Sequence, residues 1–257
     1  MKKAIIIGSF GCSIKESREK YIEPIEQEIK INNKDFDCFR VFTSEIIRRK
    51  IKREENTDIH NMITCLQMLK DNGYTHVYVS STHIIPGAEY EKILAAVSEY
   101  KNTFEEIKVA RTFLDDMMGE KEADVIMSYV KSDISSDEAI ILVGHGTEHA
   151  SHKYYRQAET LLRKYLTNLF IINVEGDTYF EEAAADLNKH HIKKVYIYPF
   201  MLVAGDHAYN DIASDDEDSV KTLLTDRGFE AEAFITGLGA QKKAAKLFAE
   251  RLKECME

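Results

Sequence analysis

Proline, cysteine and basic charge are all scarce in this 257-residue chain, and each scarcity excludes something. With three prolines, the helical stretches are rarely interrupted. The four cysteines, Cys12, Cys38, Cys65 and Cys255, form no C-x-x-C pair. Their spacing is poor for zinc, and free thiols in a reducing compartment are expected. No apolar run reaches the ~18 residues that span a bilayer. Met1-Lys2-Lys3 leads into a five-residue apolar stretch, too short for a secretory h-region of about 7–15 residues. A cytoplasmic protein without a membrane partner is therefore expected. Lys and Arg number 34 against 44 Asp and Glu, a formal net charge of −10. That balance argues against nucleic acid, whose phosphates require clustered cations.

What is present is alternation. β-rich apolar runs at 4–7, 36–42, 76–79, 106–110, 139–143, 169–174, 194–198 and 231–235 alternate with amphipathic stretches such as 16–30, 58–71, 89–100, 153–165, 178–190 and 241–253. Strands alternating with helices predict βαβ units and parallel sheets. An internal repeat predicts two lobes. Ala4-Ile5-Ile6-Ile7-Gly8-Ser9-Phe10-Gly11 resembles Ala139-Ile140-Ile141-Leu142-Val143-Gly144-His145-Gly146. Val77-Tyr78-Val79 through Tyr90 similarly matches Val195-Tyr196-Ile197 through Ala208. Two pairs in the same order favour duplication over chance likeness between βα units. The fold class expected is α/β, with two Rossmann-like, doubly wound parallel lobes related by pseudo-two-fold duplication. The expected domains are 1–134 and 135–257, divided in a polar stretch at 131–137, with the last helix packing back on the N-terminal lobe.

Ligands in open parallel sheets sit beyond the C-terminal strand ends, which nominates the loops at 9–13, 80–89, 144–152 and 199–211. In the aligned repeats Phe10 stands opposite His145, and Glu89 opposite His207. His145 follows a wholly apolar strand and lies between two glycines, where the chain can turn tightly and a ligand can approach. The alternative is a histidine that only hydrogen-bonds its loop. His207, in Gly205-Asp206-His207-Ala208, pairs with it as a second neutral imidazole suited to a transition-metal dication, with Asp206 or Asp211 as orienting partner. The alternative there is a helix start capped by Asp206. Glu175 also closes an apolar strand. Glu89, by local pattern alone, reads as an acid favoured at a helix N-terminus. His83 is a weaker candidate. His149 and His152 fit metal binding or an exposed helix start equally, and His190-His191 fits a helix end. Asp215-Asp216-Glu217-Asp218 reads as a solvated helix start without calcium-loop spacing. No Walker loop, no G-x-G-x-x-G and no G-x-S-x-G occurs.

Four segments carry a family resemblance: Lys3-Ala4-Ile5-Ile6-Ile7-Gly8-Ser9-Phe10-Gly11 with Ser17-Arg18-Glu19-Lys20, His83-Ile84-Ile85-Pro86-Gly87-Ala88-Glu89-Tyr90, Val143-Gly144-His145-Gly146-Thr147, and Ala204-Gly205-Asp206-His207-Ala208-Tyr209-Asn210-Asp211. Together they resemble the anaerobic sirohydrochlorin cobaltochelatases, class II tetrapyrrole chelatases of cobalamin synthesis. The resemblance implies two Rossmann-like lobes flanking a tetrapyrrole cleft, with Co²⁺ as substrate metal, Fe²⁺ or Ni²⁺ as alternatives, and no ATP or organic cofactor. It implies that His145 and His207 bind metal and remove protons, with acidic partners at Glu89 and Glu175. Phe10, with Ser9 and Gly11, would meet the macrocycle, and Arg18 and Lys20 its carboxylates. Cys12 departs from the Thr common at that place. Iron insertion toward sirohaem and a non-catalytic tetrapyrrole- or metal-binding protein remain as alternatives, and homo-oligomerisation is left open.

Overall fold

The computed structural model describes residues 2–257, apart from the side chains of Asp206 and His207. Along the first half run β1 (Lys3–Ser9), α1 (Lys15–Ser17), α2 (Glu23–Asn32), β2 (Asp37–Phe42), α3 (Glu45–Glu55), α4 (Met62–Asp71), β3 (His76–Ser81), α5 (Ala88–Glu99) and β4 (Glu106–Val109). Then come α6 (Glu120–Tyr129), β5 (Glu138–Gly146), α7 (Lys153–Leu162), β6 (Leu169–Glu175), α8 (Phe180–Lys189), β7 (Lys194–Pro199), α9 (Asp206–Ala213), α10 (Val220–Asp226), β8 (Glu230–Ala233) and α11 (Lys242–Met256). All eight expected strands form. The helix expected over 16–30 is divided by a π-type turn, Arg18–Ile22. Pro24 follows that turn and has no N–H for the helical ladder, so the spacing widens where the bond is missing.

The chain forms two compact units, residues 1–115 with 242–257, and residues 116–241. The division falls earlier than the 134/135 boundary expected from sequence, because α6 belongs to the second unit. Its last residue, Tyr129, donates to the Pro199 carbonyl at 2.7 Å and lies edge-on to Tyr198. The C-terminal helix α11 belongs to the first unit, packing on α2 and β3. Buried Arg251 on α11 donates to the carbonyls of Thr112 and Phe113, which ties the helix to the segment after β4.

Each unit holds one four-stranded parallel sheet, ordered β2-β1-β3-β4 in the first and β6-β5-β7-β8 in the second. The orders are the same, and so is the register of the central pairs. Lys3 stands opposite His76, and Glu138 opposite Lys194, which reproduces the two sequence offsets of the repeat. The central strands are the most apolar because helices cover both their faces. Ala4 to Ile7 and Ala139 to Val143 are buried throughout. At roughly 1.5–3 kcal/mol for each large aliphatic side chain buried, these strands anchor their sheets. The edge strands β4 and β8 are four residues each and only partly buried.

Candidate functional site

In an order such as 2-1-3-4 the chain leaves the first strand in opposite directions to reach its two neighbours. The crevice at that reversal, beyond the strand C-termini, is where open α/β sheets bind ligands. It lies beyond β1 and β3 in the first unit, and beyond β5 and β7 in the second.

In the second unit, β5 ends in Gly144-His145-Gly146. Strand alternation turns the neighbours of His145 inward and leaves its own side chain 65 % exposed. The flanking glycines have separate steric reasons. Gly146 has φ +82°, and a Cβ there would stand 1.9 Å from the Glu175 carbonyl oxygen. A Cβ on Gly144 would come within 2.5 Å of both Asn173 Oδ1 and the Tyr155 ring. Gly146 pairs with Glu175 at the end of β6, so the carboxylate arrives beside the imidazole through strand register alone. His145 Nδ1 lies 3.6 Å from Glu175 Oε2 and 3.3 Å from its neighbour's carbonyl, Gly146 O. Both side chains face solvent.

Below this pair the packing is polar in an unusual way. Asn173, which follows four apolar residues of β6, is 3 % exposed, and neither its amide nitrogen nor its amide oxygen has a partner among the described residues. Tyr155 lies beside it, its hydroxyl hydrogen-bonded to the Gly146 backbone and its acidity suppressed by burial, which pushes the phenol up to about 12. Sequence reasoning did not single out either residue. The available signal was the amide in Leu169-Phe170-Ile171-Ile172-Asn173.

His149 and His152 have local roles. His149 Nδ1 accepts from the Ser151 N–H at 3.1 Å. His152 Nδ1 accepts from the Thr147 N–H at 3.3 Å, so its other nitrogen carries the proton and donates to Asp177 O at 2.8 Å. Both His152 nitrogens are engaged, which makes it a strut between the loops after β5 and β6. His190 caps the end of α8. The acidic run 215–218 is not a helix start. It lies in the loop ahead of α10, whose cap is Ser219, and Asp216 accepts from the Ser214 hydroxyl at 3.0 Å.

In the first unit Gly11, at φ +101°, repeats the left-handed turn of Gly146, and Phe10 occupies the place of His145 at 50 % exposure. Ser9 is turned inward, where its hydroxyl accepts from Thr82 Oγ1 at 2.9 Å. Arg18, expected toward a ligand, is buried instead. Its guanidinium donates to Cys12 O, Ser13 O and the Glu55 carboxylate, so its charge is neutralised within the unit. Lys20 remains exposed beside the Tyr21 ring.

Glu89 is the second residue of α5, after the cap Gly87 and Ala88. His207 is the second residue of α9, after the cap Gly205 and Asp206. The two hold pseudo-equivalent places, each following the third strand of its sheet. The His207 side chain lies outside the described residues. Burial pushes the Glu89 carboxyl up, but the Lys92 ammonium, the Thr43 hydroxyl and His83 together hold it below the usual carboxylate range. Lys92 binds Oε1. Thr43 lies near without hydrogen-bond geometry, and Oε2 is buried with no partner among the described residues. His83 sits beside Glu89, its Nδ1 2.9 Å from Ser81 Oγ, and burial drives its imidazole down to about 4.

Among the described residues no group of three His, Cys, Asp or Glu side chains is arranged to hold a metal. His145 and Glu175 are brought together as a pair. No helix among the described residues is long and apolar enough to cross a membrane.

The fold is one shared with solved chelatases. SirB from Bacillus subtilis with Fe3+ superimposes with a TM-score of 0.69 at 14 % identity, covering 99 % of this chain and 96 % of that one. CbiX, described as the terminal enzyme for siroheme biosynthesis in denitrifying bacteria, gives 0.58 at 10 % identity with full coverage of both chains. In sequence, the sirohydrochlorin cobaltochelatase of Salmonella typhimurium is 30 % identical over 256 residues, 100 % of this chain and 97 % of that protein. The sirohydrochlorin cobaltochelatase CbiKC of Nitratidesulfovibrio vulgaris is 28 % identical over 92 % of this chain and 84 % of its own length. The cobalt chelatase (CbiK) family model matches residues 3–257, and the chain belongs to that family.

Proposed function

We propose that this cobalt chelatase inserts Co²⁺ into sirohydrochlorin, with His145, His207 and Glu175 holding the incoming dication and Glu89 assisting proton removal. The supporting observation is the exposed His145–Glu175 pair at the strand ends of the second unit. A separation of 3.6 Å suits two donors sharing one dication at bond lengths of about 2.0–2.2 Å. Imidazole and carboxylate together suit a borderline transition metal. Each insertion releases two pyrrole protons, and a neutral imidazole or a carboxylate can accept one as the N–H bond breaks. Phe10 and Gly11 supply the surface on which the macrocycle rests, and Lys20 is a cation available to its carboxylates. Affinity alone does not choose among Co²⁺, Fe²⁺ and Ni²⁺, since it follows the metal rather than the site.

The test is steady-state metallation of sirohydrochlorin with each of the three metals. Rapid turnover with Co²⁺ is the expected result. Tight binding of sirohydrochlorin without acceleration of metal insertion would overturn the catalytic reading and leave a carrier.

A further inference from the structure

His83 and Glu89 present matched, unsatisfied atoms inside the first unit. Among the described residues, His83 Nε2, Glu89 Oε2 and Thr43 Oγ1 are all buried without a hydrogen-bond partner, and both His83 and Thr43 act on the Glu89 carboxylate. An orphaned buried polar group is costly, so donors and an acceptor left unpaired around one carboxylate call for an explanation. Their kinds follow from Ser81. Its hydroxyl oxygen accepts the His83 main-chain N–H at 3.4 Å, and Nδ1 of the same histidine lies 2.9 Å away. Ser81 is itself buried, and its hydroxyl hydrogen is satisfied only by pointing at Nδ1. Nδ1 is then the acceptor, and in the neutral ring the proton resides on Nε2. His83 therefore offers a buried N–H donor, and Glu89 a buried acceptor.

The surroundings favour their meeting. Glu89 Oε1 is bound by Lys92, whose side chain is 61 % exposed, and the Thr43 hydroxyl lies near the carboxylate. Such surface ion pairs are weak and screened by salt. His83 is held more tightly. Its carbonyl accepts from the Phe113 N–H at 2.9 Å, and the next carbonyl, Ile84 O, accepts from the Leu114 N–H at 2.6 Å. His83 is thus a fixed point against which the carboxylate can be aimed.

We propose that His83 is a positioning residue for Glu89: its Nε2–H donates to Oε2, with Ser81 fixing the tautomer, and so aims Oε1 at the substrate. This rests on the role proposed above for Glu89. His83 itself takes up no proton. When Glu89 accepts a pyrrole proton, the N–H bond of the macrocycle breaks and the new O–H forms on Oε1, while the hydrogen bond from His83 to Oε2 persists. Ordering of this kind belongs to the supporting contacts that hold a catalytic group in its productive geometry.

The experiment compares His83→Leu, His83→Gln, Glu89→Gln and the His83→Leu/Glu89→Gln double variant in Co²⁺ insertion, beside ¹⁵N NMR of the wild-type imidazoles. We expect His83→Leu to lower kcat by about tenfold with KM for sirohydrochlorin changed less than about twofold, as for a contact that matters in the transition state. His83→Gln, which retains a side-chain N–H, should recover most of the rate. In the Glu89→Gln background His83→Leu should have no further effect, and NMR should find the proton of His83 on Nε2. The inference is overturned by a proton on Nδ1, a wild-type rate for His83→Leu, or an equal loss in both backgrounds. The NMR readout stands even if His83→Leu does not fold. A wild-type rate for Glu89→Gln would remove the proposed role of Glu89 as well. An impaired Glu89→Gln beside an unimpaired His83→Leu would remove only the inference about His83.

Discussion

A side chain that is mostly solvent-exposed can be essential to chemistry and nearly irrelevant to folding. His145 is 65 % exposed and is proposed to hold the metal, so His145→Ala should reduce metallation below detection while leaving the thermal midpoint unchanged within a degree or two. A variant with near wild-type turnover would remove His145 from the mechanism, and a large fall in the midpoint would show that the residue is structural. Gly146→Ala should behave in the opposite way. The methyl group would meet the Glu175 carbonyl and the backbone would stay at φ +82°, so the β5–β6 pairing must shift. A loss of about 1–3 kcal/mol is expected from urea unfolding, together with loss of activity, because Glu175 moves with its backbone. Unchanged stability would mean that the turn relaxes without cost. Much of this was legible in the sequence, since a histidine between glycines at the end of an apolar strand has few ordinary explanations. Arg18 was not legible. Its sequence neighbours say nothing of Glu55, 37 positions away, and only packing puts that carboxylate beside its guanidinium.

At the scale of elements, periodicity found every strand and misjudged some helices. The helix α3 was missing from the expected set because eight of its eleven residues, Glu45 to Glu55, are charged and it buries only Ile51. It forms through the Ser44 cap, which accepts from the Ile47 N–H, and through local ion pairs such as Arg49 with Glu45. The last helix shows the reverse, a strong amphipathic signal expected to pack back on the N-terminal lobe, whose contact residues there could not be read. Its docking depends on Arg251, whose removal would leave the carbonyls of Thr112 and Phe113 without their donor. Arg251→Met should therefore destabilise the protein by about 3 kcal/mol in denaturant titration, and limited proteolysis should release α11 early. A variant as stable as wild type would mean that apolar packing by Phe248 and Leu252 suffices to hold the helix.

For the whole molecule, pH acts on activity and stability by separate routes. Protonated imidazole cannot ligate, so if His145 and His207 hold the dication as proposed, protons compete with it for their nitrogens. Raising metal concentration at saturating sirohydrochlorin should move the acidic limb of the rate profile to lower pH. A limb that stays in place would exclude the histidines as ligands even if both prove essential. Stability responds instead through His83. Burial holds its imidazole at about 4, below the ordinary ~6.5 of an unfolded histidine. Between those two values the unfolded chain binds more protons than the folded one, so this contribution to stability falls as pH drops from 6.5 toward 4 and is intact above that window. The fall amounts to about 3 kcal/mol, and His83→Gln should abolish it. Parallel stability profiles for the two proteins over this range would show that His83 does not titrate in this way.

The sequence by itself determined the α/β class, the duplication, the strand-end loops and the residues worth testing there. These follow from local periodicity and from two repeated segments, both written in short stretches of chain. Tertiary structure decided which of the nominated groups meet. Strand register sets Glu175 beside His145, inward packing buries Ser9 and Arg18, and hydrogen bonds between loops engage both nitrogens of His152. It also placed the domain division ahead of α6, whose Tyr129 hydroxyl reaches Pro199, 70 positions along the chain. Such outcomes depend on contacts between residues far apart in sequence, and no local pattern encodes them.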